Sequence, residues 1–279
     1  MKLSRSIKRS IIIVVYFILF FLIGYGIYAI LKPAETCLDG KKNQNESDVD
    51  CGGVCKACQE KPELKELVVE EKAFVFGGEG KYDVMMKIKN PNDRFGAEKF
   101  KFYFQLKDAS GKIIAERRGE KFILPSEEKY VVEVGLETAE DPASAEVAIS
   151  DYAWKEFLEY VEEPQVNIFQ KKYDLVSGGA GFSKLSALVR NESYYDFNVI
   201  KINVILRDGN KMPVALNSTE MRTVHSGEER DFVLIWPASF PGDVDVDKID
   251  IEAEADVFDN QNFIKTFYQD TKQFQKSGS

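Results

Sequence analysis

Histidine is almost absent from this sequence, which has one, His225, among 279 residues. Catalytic and metal triads that depend on imidazole would have to be built around that single side chain. His225 lies between Thr223 and Gly227 in a turn-like segment, where an exposed turn residue is the simpler interpretation. The sequence also has no phosphate-binding loop, no G-x-S-x-G motif and no H-E-x-x-H motif. We therefore predict that this protein is not an enzyme.

Beyond the N-terminus, acidic residues outnumber basic ones. Five of the 37 basic residues and none of the 46 acidic residues lie in the first 32 positions, which leaves 32 basic against 46 acidic residues afterwards. The formal net charge of that remainder is −14. Such an acidic chain would repel nucleic acid, and no basic stripe offsets this repulsion. Nucleic acid is excluded as a predicted partner.

Long apolar runs are absent except for one, from Ile11 to Leu31, which contains no charged residue. At about 1.5 Å rise per residue, a helix of this length spans the hydrocarbon core of a bilayer, about 30 Å thick. Four Lys or Arg residues precede it within nine positions, and only Lys32 follows it closely. The positive-inside rule then predicts a single-pass protein of the cell membrane, with residues 1–10 in the cytoplasm and everything after 31 outside.

Two other interpretations of this run are weaker. A cleaved signal peptide usually has an apolar region of about 7–15 residues and a small-residue cleavage site, and neither property fits here. A lipoprotein would use Cys37, but the residues before it, Pro33-Ala-Glu-Thr36, do not form a lipobox. The run is therefore predicted to be a retained signal-anchor that links the chain to the membrane.

The four cysteines all lie between Cys37 and Cys58, in a predicted stalk over residues 33–60. This stretch is too polar to fold by burying a core, so it needs cross-links to hold a shape. An even count outside the cytoplasm favours two disulfides, and sequence leaves all three pairings open. A Cys₄ zinc site is the alternative. The candidate residues are Cys37, Cys51, Cys55 and Cys58.

The run from Cys37 to Cys58 resembles a short motif of bacterial secreted and surface proteins, C-x-D-G-x-x-N-x-x-E-x-x-x-D-C-G-G-x-C-x-x-C. It matches that motif at every defined position. The resemblance implies a surface setting without catalytic activity.

The same stretch is rich in oxygen donors, which hard cations prefer. Its glycines permit the tight turns that calcium loops need. One interpretation is a calcium site, the one cofactor that the sequence suggests. The other is that these residues solvate an exposed loop and form Asx-turns. The candidate calcium ligands are Asp39, Asn43, Glu46, Asp48 and Asp50.

From Pro62 onward, apolar and polar residues alternate between turn signals, as in antiparallel β-sandwiches. The strand from Phe100 to Asp108 recurs one hundred residues later, from Ile200 to Asp208. We therefore predict a mainly β protein with an internal duplication. Two tandem antiparallel β-sandwiches would cover residues 62–160 and 165–270, and a flexible tail would cover residues 271–279.

The strand ending in Phe104-Gln-Leu106-Lys-Asp108 resembles the eponymous motif of FxLYD domains, and the order of strands and turns is similar to that of LEA14-like domains. The second copy has Val204 in place of the phenylalanine. The resemblance implies an immunoglobulin-like or fibronectin-III-like sandwich without an established active site. The alternating apolar residues are then core: Phe100, Phe102, Phe104, Ile200, Ile202 and Val204.

Two local features allow more than one interpretation. The residues Trp154, Phe157, Leu158 and Val161 have helical spacing, and they form either a short linking helix or an extension of the preceding strand. Three glycosylation sequons occur, at Asn45, Asn191 and Asn217, and the last two are expected to be exposed.

Taken together, these features predict a membrane-anchored, extracytoplasmic, non-enzymatic binding or scaffold protein of the cell envelope. Its partner would be another envelope protein or a surface polymer. The alternative hypothesis is an accessory subunit of a secretion or pilus-type assembly that works through its transmembrane helix. A pair of glycines at Gly24 and Gly26 is too closely spaced for a small-xxx-small seam, which disfavours that alternative.

Overall fold

The structure is a computed structural model that describes residues 5–31, 37–43, 45–58, 63–157, 164–178 and 180–258. It divides the chain into two compact units, Met1–Glu63 and Leu64–Ser279. Each unit is described by itself below.

The first unit begins with one helix, α1 (Arg5–Leu31). Its segment Ile7–Tyr28 is long and apolar enough to cross a membrane. The side chains of that segment are almost all exposed. The helix starts at Arg5, before the predicted span that begins at Ile11, so the basic residues form its first turns. It ends at Leu31, as predicted. After it, the cysteine-rich segment contains turns and one isolated bridge, between Asp48 and Cys51.

Antiparallel strands make up the second unit. Those in the first half are β1 (Val68–Gly78), β2 (Lys81–Lys89), β3 (Phe95–Lys107), β4 (Ile113–Ile123), β5 (Glu128–Glu137) and β6 (Ser144–Glu156). Those in the second half are β7 (Val166–Leu175), β8 (Ser183–Asn191), β9 (Phe197–Arg207), β10 (Pro213–Val224), β11 (Glu229–Trp236) and β12 (Asp250–Ala255). A short 3-10 turn, Val246–Lys248, precedes the last strand. The mainly β fold class is confirmed.

Each half forms two three-stranded sheets that pack face to face. The sheets of the first half have the orders β1-β2-β5 and β4-β3-β6. Those of the second half have the orders β7-β8-β11 and β10-β9-β12, which is the same arrangement shifted by six strands. Each sandwich has its own apolar core, as alternation along its strands requires. The predicted core residues of β3 and β9 are all at most 1% exposed.

The duplication is visible in single side chains. Asn90, which directly follows β2, and Asn191, the last residue of β8, are both 0% exposed. The Asn90 amide donates to the carbonyls of Phe95 and Leu124, and the Asn191 amide donates to those of Tyr195 and Val224. Each asparagine therefore ties the turn after its strand to a second strand at the same place in its sandwich. This burial also overturns the expectation that the sequon at Asn191 is exposed.

The hairpins after β3 and β9 use the same turn chemistry. Asp108 accepts hydrogen bonds from the backbone N–H groups of Ser110 and Lys112. Asp208 accepts the equivalent pair from Asn210 and Met212. An aspartate that bonds its own turn in this way fixes the hairpin and hence the strand register.

The segment between the two sandwiches is only partly described. Trp154 belongs to β6, so the strand extension is the correct interpretation for that residue. Phe157 follows the strand and is 3% exposed. Leu158 and Val161 lie outside the described residues, as does the tail predicted for residues 271–279. The proposed domain bounds stay predictions.

Candidate functional site

The junction of the two sandwiches has an apolar centre. The outer face of the β1-β2-β5 sheet packs on the outer face of the β10-β9-β12 sheet. The residues in contact are Val75, Met85 and Val132 from the first sandwich and Ile205 and Leu216 from the second, and none is more than 8% exposed. Sequence analysis missed this contact, although β2 and β9 are apolar on both faces around Met85 and Ile205. An apolar run without alternation is typical of a strand that is buried on both sides.

Strand β5 lies at the edge of its sheet, and the second sandwich satisfies part of its open backbone. The N–H of Tyr130 donates to the carboxylate of Glu252 at 2.9 Å, and its carbonyl accepts from the amide of Asn203 at 3.3 Å. The carbonyl of Val132 accepts from Nζ of Lys201 at 3.3 Å. An unpaired sheet edge would otherwise be open to pairing with another chain. The junction therefore joins the sandwiches through hydrogen bonds as well as apolar contact.

Arg207 anchors one side of the junction. Its guanidinium donates two hydrogen bonds to Glu71 of β1, at 2.7 and 2.8 Å, and one to Asp250 of β12, at 2.5 Å. It also lies 3.3 Å from the hydroxyl of Tyr130. The hydrogen bonds that Arg207 donates to Glu71 raise the pKa of Arg207 above its ordinary value despite its burial. A bidentate arginine–carboxylate pair fixes orientation as well as adding binding energy.

A buried lysine occupies the other side. Lys129 is 1% exposed, and its Nζ donates to the carbonyl of Phe122 at 3.0 Å. Its Nζ also lies 3.3 Å from Glu127, 3.8 Å from Glu254 and 3.6 Å from the centre of the Phe122 ring. Burial lowers the pKa of Lys129, but the carboxylates of Glu127 and Glu254 outweigh burial and raise it. Lys129 is therefore a charged residue inside the junction.

Two glutamates on β12 respond to this lysine in opposite ways. Burial would raise the pKa of Glu254, but Lys129 and the two hydrogen bonds from Lys121, both 3.0 Å long, hold it below its ordinary value. Burial raises the pKa of Glu252 to about 8, and the charge of Lys129 only partly offsets that rise. The junction at neutral pH then contains an ionised Glu254 and a largely protonated Glu252.

Beside this cluster lies a cleft of about 410 Å³ between the two sandwiches. Lys99 pairs with Glu120 at 2.8 Å, and Lys121 pairs with Glu254, so four of the charges that line it are neutralised locally. The size falls within the range of small-molecule sites, about 300–1,000 Å³. The lining residues are Glu98, Lys99, Glu120, Lys121, Phe122, Val199, Lys201, Glu220, Glu254 and Asp256.

The cysteines form two disulfides, Cys37–Cys55 and Cys51–Cys58, as the sequence analysis expected without choosing a pairing. No thiol in this segment is left for the alternative Cys₄ zinc site. Gly52 has a φ of 79°, and a Cβ atom there would lie 2.5 Å from Oγ of Ser47, so the motif requires glycine at this position. An apolar helix near the N-terminus together with disulfides indicates export or membrane anchoring.

The predicted calcium ligands organise the loop around the disulfides. Asp50 accepts hydrogen bonds from the N–H groups of Asp39 and Gly40, and Glu46, 6% exposed, accepts from those of Asn43 and Asp50. Asn43 donates to Asp39, and Asp48 accepts from the residue that follows it.

Asp50 and Glu46 thus accept hydrogen bonds mainly from the backbone of the loop. Among the described residues, the cluster with metal-ligand spacing consists of Glu46 with Cys37 and Cys55, whose sulfurs form a disulfide and are not thiolate ligands. The calcium interpretation stays a prediction.

The remaining candidate residues are exposed or half-buried. The side chain of His225 is 62% exposed, with Nδ1 3.1 Å from Asp196. Asn45 is exposed, and Asn217 is half-buried with its amide bonded to the carbonyl of Ile235.

Comparisons with known proteins add little. No protein-family model matches this chain, and no curated protein matches it. The solved structure of red sea bream transglutaminase is similar over 70% of this chain, with 14% identity and a TM-score of 0.21. The chain spans 31% of that structure. At that score the likeness carries no argument about function.

Proposed function

We propose that this protein is a non-enzymatic binding or scaffold protein of the cell envelope, held by its helix in the membrane and presenting two joined sandwiches outside. The observation that carries the proposal is the junction, which fixes the two sandwiches into one unit through the apolar centre and the Arg207 and Lys129 clusters. Such a unit presents a surface of defined shape.

The orientation rests on charge and redox chemistry. Four basic residues precede the apolar run, and the positive-inside rule places them in the cytoplasm. Disulfides such as Cys37–Cys55 persist in oxidising compartments and are rare in the cytosol. Both observations support a helix with its N-terminus inside and the sandwiches outside.

The resemblance to FxLYD and LEA14-like domains supports the same proposal. Those domains have an immunoglobulin-like or fibronectin-III-like fold and no established active site. The residues that carry the resemblance, Phe104 and Leu106, are fully buried and serve as core. The binding surface would then lie elsewhere on the two sandwiches.

A helix-exchange experiment tests the proposal against the accessory-subunit alternative. The run from Ile11 to Leu31 is replaced by an unrelated apolar helix of equal length with the same flanking charges. Partners cross-linked to the whole chain in membranes are then compared by mass spectrometry. A surface protein keeps its partners after the exchange. Loss of every partner would show that the contacts are made by the helix itself.

A further inference from the structure

Two charged side chains in the cleft, Lys201 and Glu220, have no close ion pair among the described residues. Lys201 of β9 reaches across the junction to the carbonyl of Val132, 3.3 Å away, and its nearest carboxylate, Glu133, is 4.0 Å away. A lysine ammonium has three N–H donors, so this geometry leaves donor capacity unused.

Lys201 has two cross-strand neighbours, Glu254 of β12, which pairs with Lys121, and Glu220 of β10. Such neighbours have Cβ atoms about 4.5–5.5 Å apart, and opposite charges there normally pair. Within the described residues no ion pair joins Lys201 to Glu220, because Lys201 is drawn toward the first sandwich. The cleft therefore contains an ammonium group and a carboxylate side by side and separate from each other.

The surroundings of Lys201 favour the binding of an anion beside its ammonium group. Its side chain is 20% exposed, and burial, followed by the neighbouring Lys121, lowers its pKa more than the nearby carboxylates, Glu133, Glu254 and Glu220, raise it. An anion at this position would relieve both effects. A ligand with only negative charge would meet the exposed Glu220 and the other acidic side chains of the cleft, and a ligand with only positive charge would meet Lys201. A ligand that carries both charges avoids either repulsion.

We propose that the cleft binds a zwitterion, a free amino acid or a short peptide, with its carboxylate on Lys201, its ammonium group on Glu220 and its apolar part against Phe122 and Val199. This assignment rests on the proposed function, because it supplies a ligand for a binding protein. The shared chemistry is a carboxylate and an ammonium group on one small molecule, whether free or at the ends of a peptide.

Calorimetric titration of the whole chain in detergent micelles tests it. The probes are leucine, N-acetylleucine, which has no ammonium group, and leucinamide, which has no carboxylate; alanylalanine serves as the peptide. Leucine or alanylalanine should bind, and whichever binds identifies the source. Each leucine derivative should bind at least about tenfold more weakly than leucine if leucine binds, since one charge-assisted contact is lost. For alanylalanine, its N-acetyl and amide derivatives are compared in the same way.

Variants of Lys201 and Glu220 test which side chain binds the carboxylate of the ligand and which binds its ammonium group. Lys201→Met should weaken binding of the zwitterion about tenfold or more, and Glu220→Gln should weaken it similarly while leaving the acetylated probe unaffected. Lys184→Met, on the exposed outer face of β8, is the matched control and should change nothing. If Lys201→Met fails to fold, Glu220→Gln decides alone, because its side chain is exposed.

The proposal is wrong if no zwitterion binds at millimolar concentration, if the derivatives bind as well as the parent, or if Glu220→Gln binds like the unaltered chain. Partner cross-linking in the helix-exchange experiment would survive any of these results. The two proposals therefore fail separately.

Discussion

At the residue scale, Phe104 shows how one side chain serves the fold of a whole sandwich. It lies in β3, is 0% exposed, and its ring centre is 5.6 Å from that of Phe102. Phe104→Ala should lower the free energy of unfolding by about 3–5 kcal/mol, because a large cavity replaces the ring. Denaturant unfolding measures the change. Phe76→Ala, at a 40% exposed position, is the control and should cost much less. A loss below about 1 kcal/mol at Phe104 would contradict its place in the core.

Glu252 gives the junction a dependence on pH whose sign can be worked out. Its pKa is about 8 in the folded chain against an ordinary 4.5, so between these values the folded state binds more protons than the unfolded state. Stability should therefore fall as the pH rises through that window and level off above it. Glu252→Gln, which imitates the protonated acid, should reduce this slope in denaturant unfolding between pH 5 and pH 8.

Glu128→Gln is the matched control for that measurement. Hydrogen bonds from Lys87 and Lys89 lower the pKa of Glu128 to about 2, so its contribution is lost only in acid. Its substitution should leave the slope between pH 5 and pH 8 unchanged. An identical slope in the unaltered chain and in Glu252→Gln would show that Glu252 does not carry the proton.

At the element scale, the outer faces of two sheets, β1-β2-β5 and β10-β9-β12, pack on each other at the junction. The described residues of the equivalent sheets of the duplication, β7-β8-β11 and β4-β3-β6, do not take part in this contact. Ile205 and Leu216 at the junction correspond to Gln105 and Glu116 on the free face of the first sandwich, which occupy the same register. Met85 corresponds to Ser186 on the free face of the second. At these three positions the buried copy is apolar and the free copy polar, whereas Val233, the free copy of Val132, is apolar and 53% exposed.

This difference makes a prediction about the junction. Ile205→Gln, which installs the residue of the free copy, should destabilise the chain by about 2–4 kcal/mol, because apolar contact is lost and an amide is buried. Gln105→Ile is the reciprocal control and should change the unfolding free energy by less than about 1 kcal/mol. Equal effects of the two substitutions in denaturant unfolding would mean that the junction does not stabilise the molecule.

The disulfides make a prediction for the cysteine-rich segment. Alkylation of the unreduced protein should label no cysteine, and peptide mapping should recover Cys37 with Cys55 and Cys51 with Cys58. Closing loops of this kind contributes about 3 kcal/mol in the chain-entropy model, so reduction should loosen this segment and leave the sandwich cores folded. Intact-mass analysis decides the matter. Four labelled cysteines with one bound zinc ion would restore the alternative site.

Local pattern predicted the elements well, and it failed where two elements meet. Alternation and Asp-initiated turns are local, so they located β3, β9 and their hairpins. The junction depends on which faces come together, and one signal for it existed in the unbroken apolar run from Val84 to Met86. Lys129 gave no such signal, because a lysine on a strand predicts exposure. One of the two carboxylates that compensate its burial, Glu254, is more than one hundred residues away in the sequence. The exposure expected for Asn191 was wrong for the same reason, since its partners come from another strand.

At the scale of the whole molecule, the second unit behaves as one body with two cores and one shared contact. The cleft beside that contact depends on both sandwiches, because its lining comes from β3 and β4 on one side and from β9, β10 and β12 on the other. Any ligand held there would couple the sandwiches further. The proposed binding function also requires that the two sandwiches lie outside the membrane, where envelope ligands are found.

The topology of the chain in its membrane is the most direct test of this account. Protease is added to intact cells, and the fragment that survives is identified with an antibody against residues 1–10. The account predicts that nearly all the mass after Lys32 is removed, while the basic tail stays protected in the cytoplasm. Full protection of the sandwiches in intact cells, with digestion only after the membrane is opened, would contradict it.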